Sequence, residues 1–133
     1  MKTAVIYWSG TGNTEAMAKA IAEGAGADIF TVSEFGGSVS DYDVIAFGCP
    51  AMGAEVLEEE EFEPFFTSVE GSLSGKKVIL FGSYGWGDGE WMRNWEDDCR
   101  DAGANLVVDS VTANNEPDDD ALEACKALGA ALA

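Results

Sequence analysis

The sequence predicts a single α/β domain, spanning 1–133, built on a five-stranded parallel sheet, and three observations lead there. Short apolar runs alternate with amphipathic stretches along the 133 residues, the order that gives parallel strands joined by right-handed helical crossovers. Two of the runs, VIAFG at Val44–Gly48 and VILFG at Val78–Gly82, are apolar throughout, as strands covered on both faces are. The first run, Thr3–Trp8, stops at the polar turn Ser9-Gly10-Thr11-Gly12-Asn13-Thr14, which opens a segment of helical periodicity.

The elements follow in order. After the strand Thr3–Trp8, Met17, Ala20 and Ile21 recur at helical spacing, while the glycine-broken stretch Ala22–Ala27 predicts a trimmed first helix. Asp28–Val32 is the second strand. The connection Ser33–Tyr42 is short for a crossover and contains Gly36-Gly37, so it predicts a single helical turn at most. Beyond Val44–Gly48, the residues Phe62, Phe65, Phe66, Val69 and Leu73 form one helical stripe, with Pro64 tolerable in its first turn. Trp91, Met92, Trp95, Cys99 and Ala102 form a second stripe after Val78–Gly82, which assigns both tryptophans to the core. Leu106–Thr112 reads as the fifth strand. Ala121, Leu122, Cys125, Leu128 and Leu132 form the last stripe, with Asp118–Asp120 placed to cap it.

Composition removes several classes of function. There is no histidine, which excludes Ser-His and Cys-His catalytic pairs and argues against a zinc or iron–sulfur site. Cys49, Cys99 and Cys125 are odd in number, widely spaced and outside any CxxC pattern. They read as reduced core residues of a cytoplasmic protein. No long apolar run or basic leader is present, which predicts a soluble chain without membrane insertion. Asp and Glu number 25 against 7 Lys and Arg, a formal charge of −18. Such a surface repels nucleic acid and anionic lipid and steers toward basic protein partners. The acidic run Glu58–Glu61 precedes the phenylalanine-rich stripe and reads as a solvated face favourable to the helix dipole, with partner docking as its functional reading.

The turn at 9–14 carries the chemistry. A strand, a tight polar turn and a helix N-terminus in that order make an anion site, because free backbone N–H groups and the positive end of the helix dipole converge there. Gly10 and Gly12 let the backbone curl closely, and Ser9, Thr11, Asn13 and Thr14 add neutral donors. The nucleoside-triphosphate pattern GxxxxGK[ST] is absent, as is GxGxxG, and no lysine or arginine lies between Thr3 and Ala18. One terminal phosphate held by neutral donors is the ligand this loop suits.

YWSGTGNTEAMA at 7–18 resembles the phosphate loop of the short-chain flavodoxins, small FMN-binding electron carriers. CPAMGAEVLEE at 49–59 and LFGSYGWGDGEWM at 80–92 match the same family in order and spacing. The resemblance covers essentially the whole chain. It implies a doubly wound, flavodoxin-like three-layer α/β/α fold with strand order 2-1-3-4-5, whose switch point lies between strands 1 and 3.

The resemblance also implies the site. FMN is the cofactor, with its phosphate in the 9–14 loop. Pro50 and Ala51 lead into the turn Met52-Gly53-Ala54-Glu55, where Met52 covers the inner flavin face, Gly53 offers its carbonyl to N5, and Glu55 bonds the pyrimidine edge. Pro50 stands where relatives often place a phosphate-binding hydroxyl, so that donor is lost here. Ser83 and Tyr84 approach the ribityl chain, Trp86 covers the outer face, and the backbone of Gly85 and Gly87 follows the ring edge. Trp8, ending strand 1, is intermediate between core and site, and Asn114-Asn115-Glu116-Pro117 borders the far rim.

The implied function is a low-potential one-electron carrier, a monomer with no catalytic or metal-ligating residues, docking on the basic faces of its reductase and acceptor. The alternative on the same fold is an FMN-dependent NAD(P)H:quinone reductase. That enzyme needs room over the flavin and a basic residue for the substrate phosphate, whereas Trp86 occupies the stacking face and basic residues are scarce.

Overall fold

The computed structural model describes residues 2–10, 12–52, 56–85, 89–106 and 110–132. Its elements are β1 (Thr3–Tyr7), α1 (Asn13–Ala25), β2 (Asp28–Thr31), β3 (Val44–Gly48), α2 (Phe62–Glu70), β4 (Lys77–Tyr84), α3 (Glu90–Asp101), β5 (Asn105–Leu106), β6 (Val111–Asn114) and α4 (Asp119–Leu132). The sheet runs β2-β1-β3-β4-β5, the predicted order, and all of its strand pairings are parallel. The fifth position differs from the prediction. Among the described residues the run Leu106–Thr112 contributes to two short strands, β5 and β6, both paired with β4, and the sheet has six strands. β4 is longer than predicted for the same reason. Ser83 and Tyr84 pair with Ala113 and Asn114, which makes them strand residues rather than loop residues.

Side chains on a strand alternate between faces, and the alternation sorts the core into two layers. Val5, Tyr7, Ala46, Ile79 and Phe81 face α1 and α4 through Met17, Ile21 and Cys125. Ala4, Ile6, Ile45, Phe47 and Leu80 face α2 and α3 through Phe62, Phe66, Trp91 and Trp95. Both tryptophans are core residues, as predicted, and Cys49, Cys99 and Cys125 are free and buried. Burial pushes their thiols up, to about 12, 12 and 11 respectively.

The two connections flanking β2 fare differently: the first departs from expectation and the second meets it. α1 is not broken at its glycines: it runs through Gly24 and ends at Gly26, whose left-handed φ of 62° closes the helix. A methyl group on Gly24 would lie 2.1 Å from the Lys126 carbonyl oxygen, and one on Gly129 would lie 2.1 Å from that of Ile21. Gly24 and Gly129 are therefore contact points where α1 and α4 touch backbone to backbone, and this packing offsets glycine's helix penalty of about 1 kcal/mol. Between β2 and β3 the crossover is a single 3-10 turn, Val39–Asp41. Aromatic rings cover the sheet there instead of a helix. Phe35 packs edge-on against Phe30 at 5.2 Å and Phe65 at 5.9 Å between centroids.

Candidate functional site

The C-terminal ends of β1, β3, β4 and β6 meet at one edge of the sheet, and backbone hydrogen bonds stitch the residues beyond them together. Trp8 N–H donates to Gly48 O (3.0 Å), Cys49 N–H to Phe81 O (3.2 Å), Ala51 N–H to Ser83 O (2.9 Å) and Asn115 N–H to Tyr84 O (2.6 Å). These bonds gather Trp8, Gly10, Asn13, Pro50, Ala51, Met52, Ser83, Tyr84, Gly85 and Asn115 around one crevice. None of those residues carries a charge, in a chain whose formal charge is −18. Apolar Met52, Trp8 and Tyr84 offer flat or deformable contact surface to a planar ligand.

The loop predicted to hold a phosphate leads into α1. Gly12 stands at the N-cap with φ 95°, a left-handed conformation that suits glycine, and no side chain caps the helix. The Gly12 N–H donates to Ser9 Oγ at 3.0 Å, which closes the loop on itself. Thr14 is 1% exposed. Its Oγ1 lies 3.1 Å from Ser83 Oγ and accepts the Ser83 N–H at 3.4 Å, tying the loop to β4. An uncapped helix N-terminus beside two neutral hydroxyls suits a phosphate. The single acid of the first turn, Glu15, is engaged elsewhere. It accepts from Tyr7 OH at 3.0 Å and pairs with Lys19 at 3.8 Å. Burial, reinforced by that carboxylate, pushes the Tyr7 phenol up to about 12. Ser9 and Gly12 border a second, polar crevice on the β2 side of the loop, together with Glu15 and Thr31.

The connection after β3 is pinned at both ends. Trp91 Nε1–H donates to the Cys49 carbonyl at 3.2 Å, and Met52 and Val56 exchange two backbone bonds of 2.8 and 3.2 Å. At the far end Glu58 is 6% exposed. Its carboxylate accepts three backbone N–H groups, from Glu60 at 2.9 Å and from Glu61 and Phe62 at 2.7 Å each. The Glu58 N–H donates in turn to Cys49 Sγ at 3.3 Å. Burial alone would raise this carboxyl, but the three donors outweigh it and hold it below the usual carboxylate range. Glu59, Glu60 and Glu61 are exposed. The predicted dipole role of the acidic run thus falls mainly on Glu58, in a geometry that four consecutive glutamates in the sequence do not disclose.

Of the predicted site residues, Thr11, Gly53, Ala54, Glu55, Trp86 and Gly87 lie outside the described residues. Eight others line the crevice, and Thr14 sits buried beneath it. Two lining residues were less sharply marked in the sequence. Trp8 reads there equally as core. Asn115, following the last strand, adopts a φ of 59°, a left-handed conformation that asparagine tolerates better than most residues. The signal that finds both is their position just after a parallel strand's C-terminal end. Among the described residues no cluster of ligating side chains could hold a metal ion, and no helix is long and apolar enough to cross a membrane.

Residues 5–129 match the family model described as Flavodoxin. The flavodoxin of Megasphaera elsdenii is 51% identical, over 97% of this chain and 96% of the relative. That of Clostridium beijerinckii is 48% identical, over 86% of this chain and 88% of the relative. The solution structure of two-electron reduced Megasphaera elsdenii flavodoxin superposes with a TM-score of 0.85 at 46% identity, covering 98% of this chain and 97% of the other. The chain belongs to the flavodoxin family, whose membership implies a flavin cofactor.

Proposed function

We propose that this chain is a low-potential carrier of single electrons, holding FMN non-covalently and docking transiently on the basic faces of its reductase and acceptor. The observation that carries the reading is a crevice with no charged lining residue among the described residues, set at an uncapped helix N-terminus inside a strongly acidic protein. Bound there, FMN would supply the redox chemistry. The chain's residues bind, orient and tune it. Neutral donors around Thr14 and Ser83 leave a phosphate dianion uncompensated, and the protein's own negative charge adds to it. Both oppose the addition of further negative charge, which favours a strongly reducing second couple.

Three free, buried cysteines suit a reducing compartment, and a charge of −18 opposes self-association, which supports a cytoplasmic monomer. A quinone reductase on this fold is the weaker reading, because no basic residue lines the crevice among the described residues. Reductive titration of the purified protein decides between them. A carrier takes up its two electrons in separate steps and does not turn over NAD(P)H. One two-electron step with rapid NAD(P)H oxidation by quinone would contradict the proposal.

A further inference from the structure

β3 and β4 run side by side to the crevice, and their backbone ladder continues past the end of β3. The Cys49 N–H donates to Phe81 O at 3.2 Å and the Ala51 N–H to Ser83 O at 2.9 Å. A regular parallel ladder places one more bond between these two, from the Ser83 N–H to the Cys49 carbonyl. Here both groups turn elsewhere. The Ser83 N–H meets Thr14 Oγ1 at 3.4 Å, which fastens the predicted phosphate loop to β4, and the Cys49 carbonyl accepts the Trp91 indole N–H at 3.2 Å. That carbonyl lies over Gly82, where a methyl group would stand 2.2 Å from its oxygen and 3.3 Å from the Trp91 ring. Trp91 is 1% exposed, and its ring also packs against Tyr84 of the crevice at 5.5 Å between centroids. Trp95, one turn later in α3, is equally buried, and its indole N–H has no acceptor among the described residues. One core tryptophan is bonded toward the crevice and the other is not.

We propose that Trp91 is a positioning residue of the crevice: its indole N–H takes the place of the ladder bond that Thr14 diverts. The phosphate loop and the connection after β3 can then both be fastened to the end of β4. The inference rests on the flavin-carrier reading above and adds to it a residue that does not line the crevice. A buried carbonyl left without a donor costs more than an ordinary hydrogen bond contributes, so the diverted bond needs a substitute. Without the indole, the Cys49 carbonyl competes for the Ser83 N–H and draws it away from Thr14. The link therefore runs from α3 through the Cys49 peptide and Ser83 to the first turn of α1, and Pro50, Ala51 and Met52 of the crevice follow the Cys49 peptide.

Titration of the full-length apoprotein with FMN, in wild type, Trp91→Phe, Thr14→Ala and the double variant, tests this. Trp91→Phe should weaken FMN binding about five-fold alone and less than about two-fold in the Thr14→Ala background, where the Ser83 N–H is already free to rejoin the ladder. Trp95→Phe, the same substitution at an equally buried site, should weaken it less than about two-fold. A tryptophan that only fills the core would give the same factor in both backgrounds, and that result would overturn the proposal. Equal weakening by Trp91→Phe and Trp95→Phe would do the same. A second measurement keeps Trp91 in place. In the 15N spectrum of Thr14→Ala apoprotein, the Ser83 amide and the Trp91 indole resonance should both move, as the returning N–H shares the Cys49 carbonyl, while the Trp95 indole stays. An unmoved Trp91 indole contradicts the link. Wild-type apoprotein that bound no FMN would refute the flavin reading instead, and the spectrum would still decide whether the link exists.

Discussion

α1 and α4 meet with backbone against backbone, at Gly24 and Gly129, where a single methyl group has no room. α2 and α3 lie on the opposite face of the sheet and are spaced by rings. Trp95 packs edge-on against Phe62 at 5.3 Å and Phe66 at 5.8 Å between centroids. Both layers cover strands of the same parallel sheet, yet one closes with helix backbone on helix backbone and the other holds its helices apart with rings. The division matches the proposed site. The closed layer carries Gly12 and Thr14, at the proposed phosphate end. The ring-spaced layer holds the start of the connection after β3, where Trp91 Nε1–H donates to the Cys49 carbonyl.

The largest expected effect comes from forcing the closed layer apart. Gly129→Val should cost about 3 kcal/mol or more, since the new side chain must displace helix backbone rather than a side-chain tip. Thermal unfolding should shift down by about 10 °C or more, and a shift of only a few degrees would show that the crossing can relax.

Glu58 comes next. Glu58→Ala should cost about 2–3 kcal/mol, because three backbone donors at the start of α2 lose a charged acceptor. The sign of its pH dependence is fixed by the direction of the shift. A carboxyl held low in the fold contributes fully above the ordinary carboxylate pKa of about 4.3 and loses its contribution as pH falls through its lowered value. The difference between wild type and Glu58→Ala, read by denaturant unfolding, should therefore shrink below about pH 4. Glu70 and Asp98 have the opposite sign. Their raised carboxyls burden the fold when ionised, a burden relieved as pH falls. Asp98→Asn should accordingly stabilise the protein at neutral pH and do little in acid.

A smaller effect is expected at the anchor. Thr14→Ala removes a buried hydroxyl bonded to Ser83 and should weaken FMN binding roughly ten-fold, about 1.4 kcal/mol, in a calorimetric titration. The smallest belongs to Trp95, between α2 and α3. Trp95→Phe deletes a donor that has no acceptor among the described residues, so its cost should stay within about 1 kcal/mol despite the lost volume. A loss of 3 kcal/mol would mean that the indole N–H is bonded after all.

Periodicity made most of this fold legible. The apolar runs located β1 to β4, and the aromatic stripe at Phe62, Phe66, Trp91 and Trp95 marked the face that α2 and α3 bury. What local rules misread was tertiary in origin. Gly24 looks like a breaker because propensity counts glycine's entropy and not the α4 backbone it admits. β5 and β6 looked like one strand because an apolar run does not reveal the change of register against β4, where Val78 pairs with Leu106 and Phe81 with Val111. Glu58 was indistinguishable from its three acidic neighbours, since only the folded loop decides which carboxylate meets the α2 N-terminus. Asn115 does reach the crevice, as its place after the last strand led one to expect, though through a left-handed φ that the sequence does not announce.

The phosphate cradle is tested most directly by titrating the apoprotein with FMN and with riboflavin while following the quenching of flavin fluorescence. Donors converging on the N-terminus of α1 predict that FMN binds at least about ten-fold more tightly, because riboflavin leaves them facing water instead of a charged acceptor. Equal affinity for the two flavins would contradict the assignment of the 9–14 loop as a phosphate site.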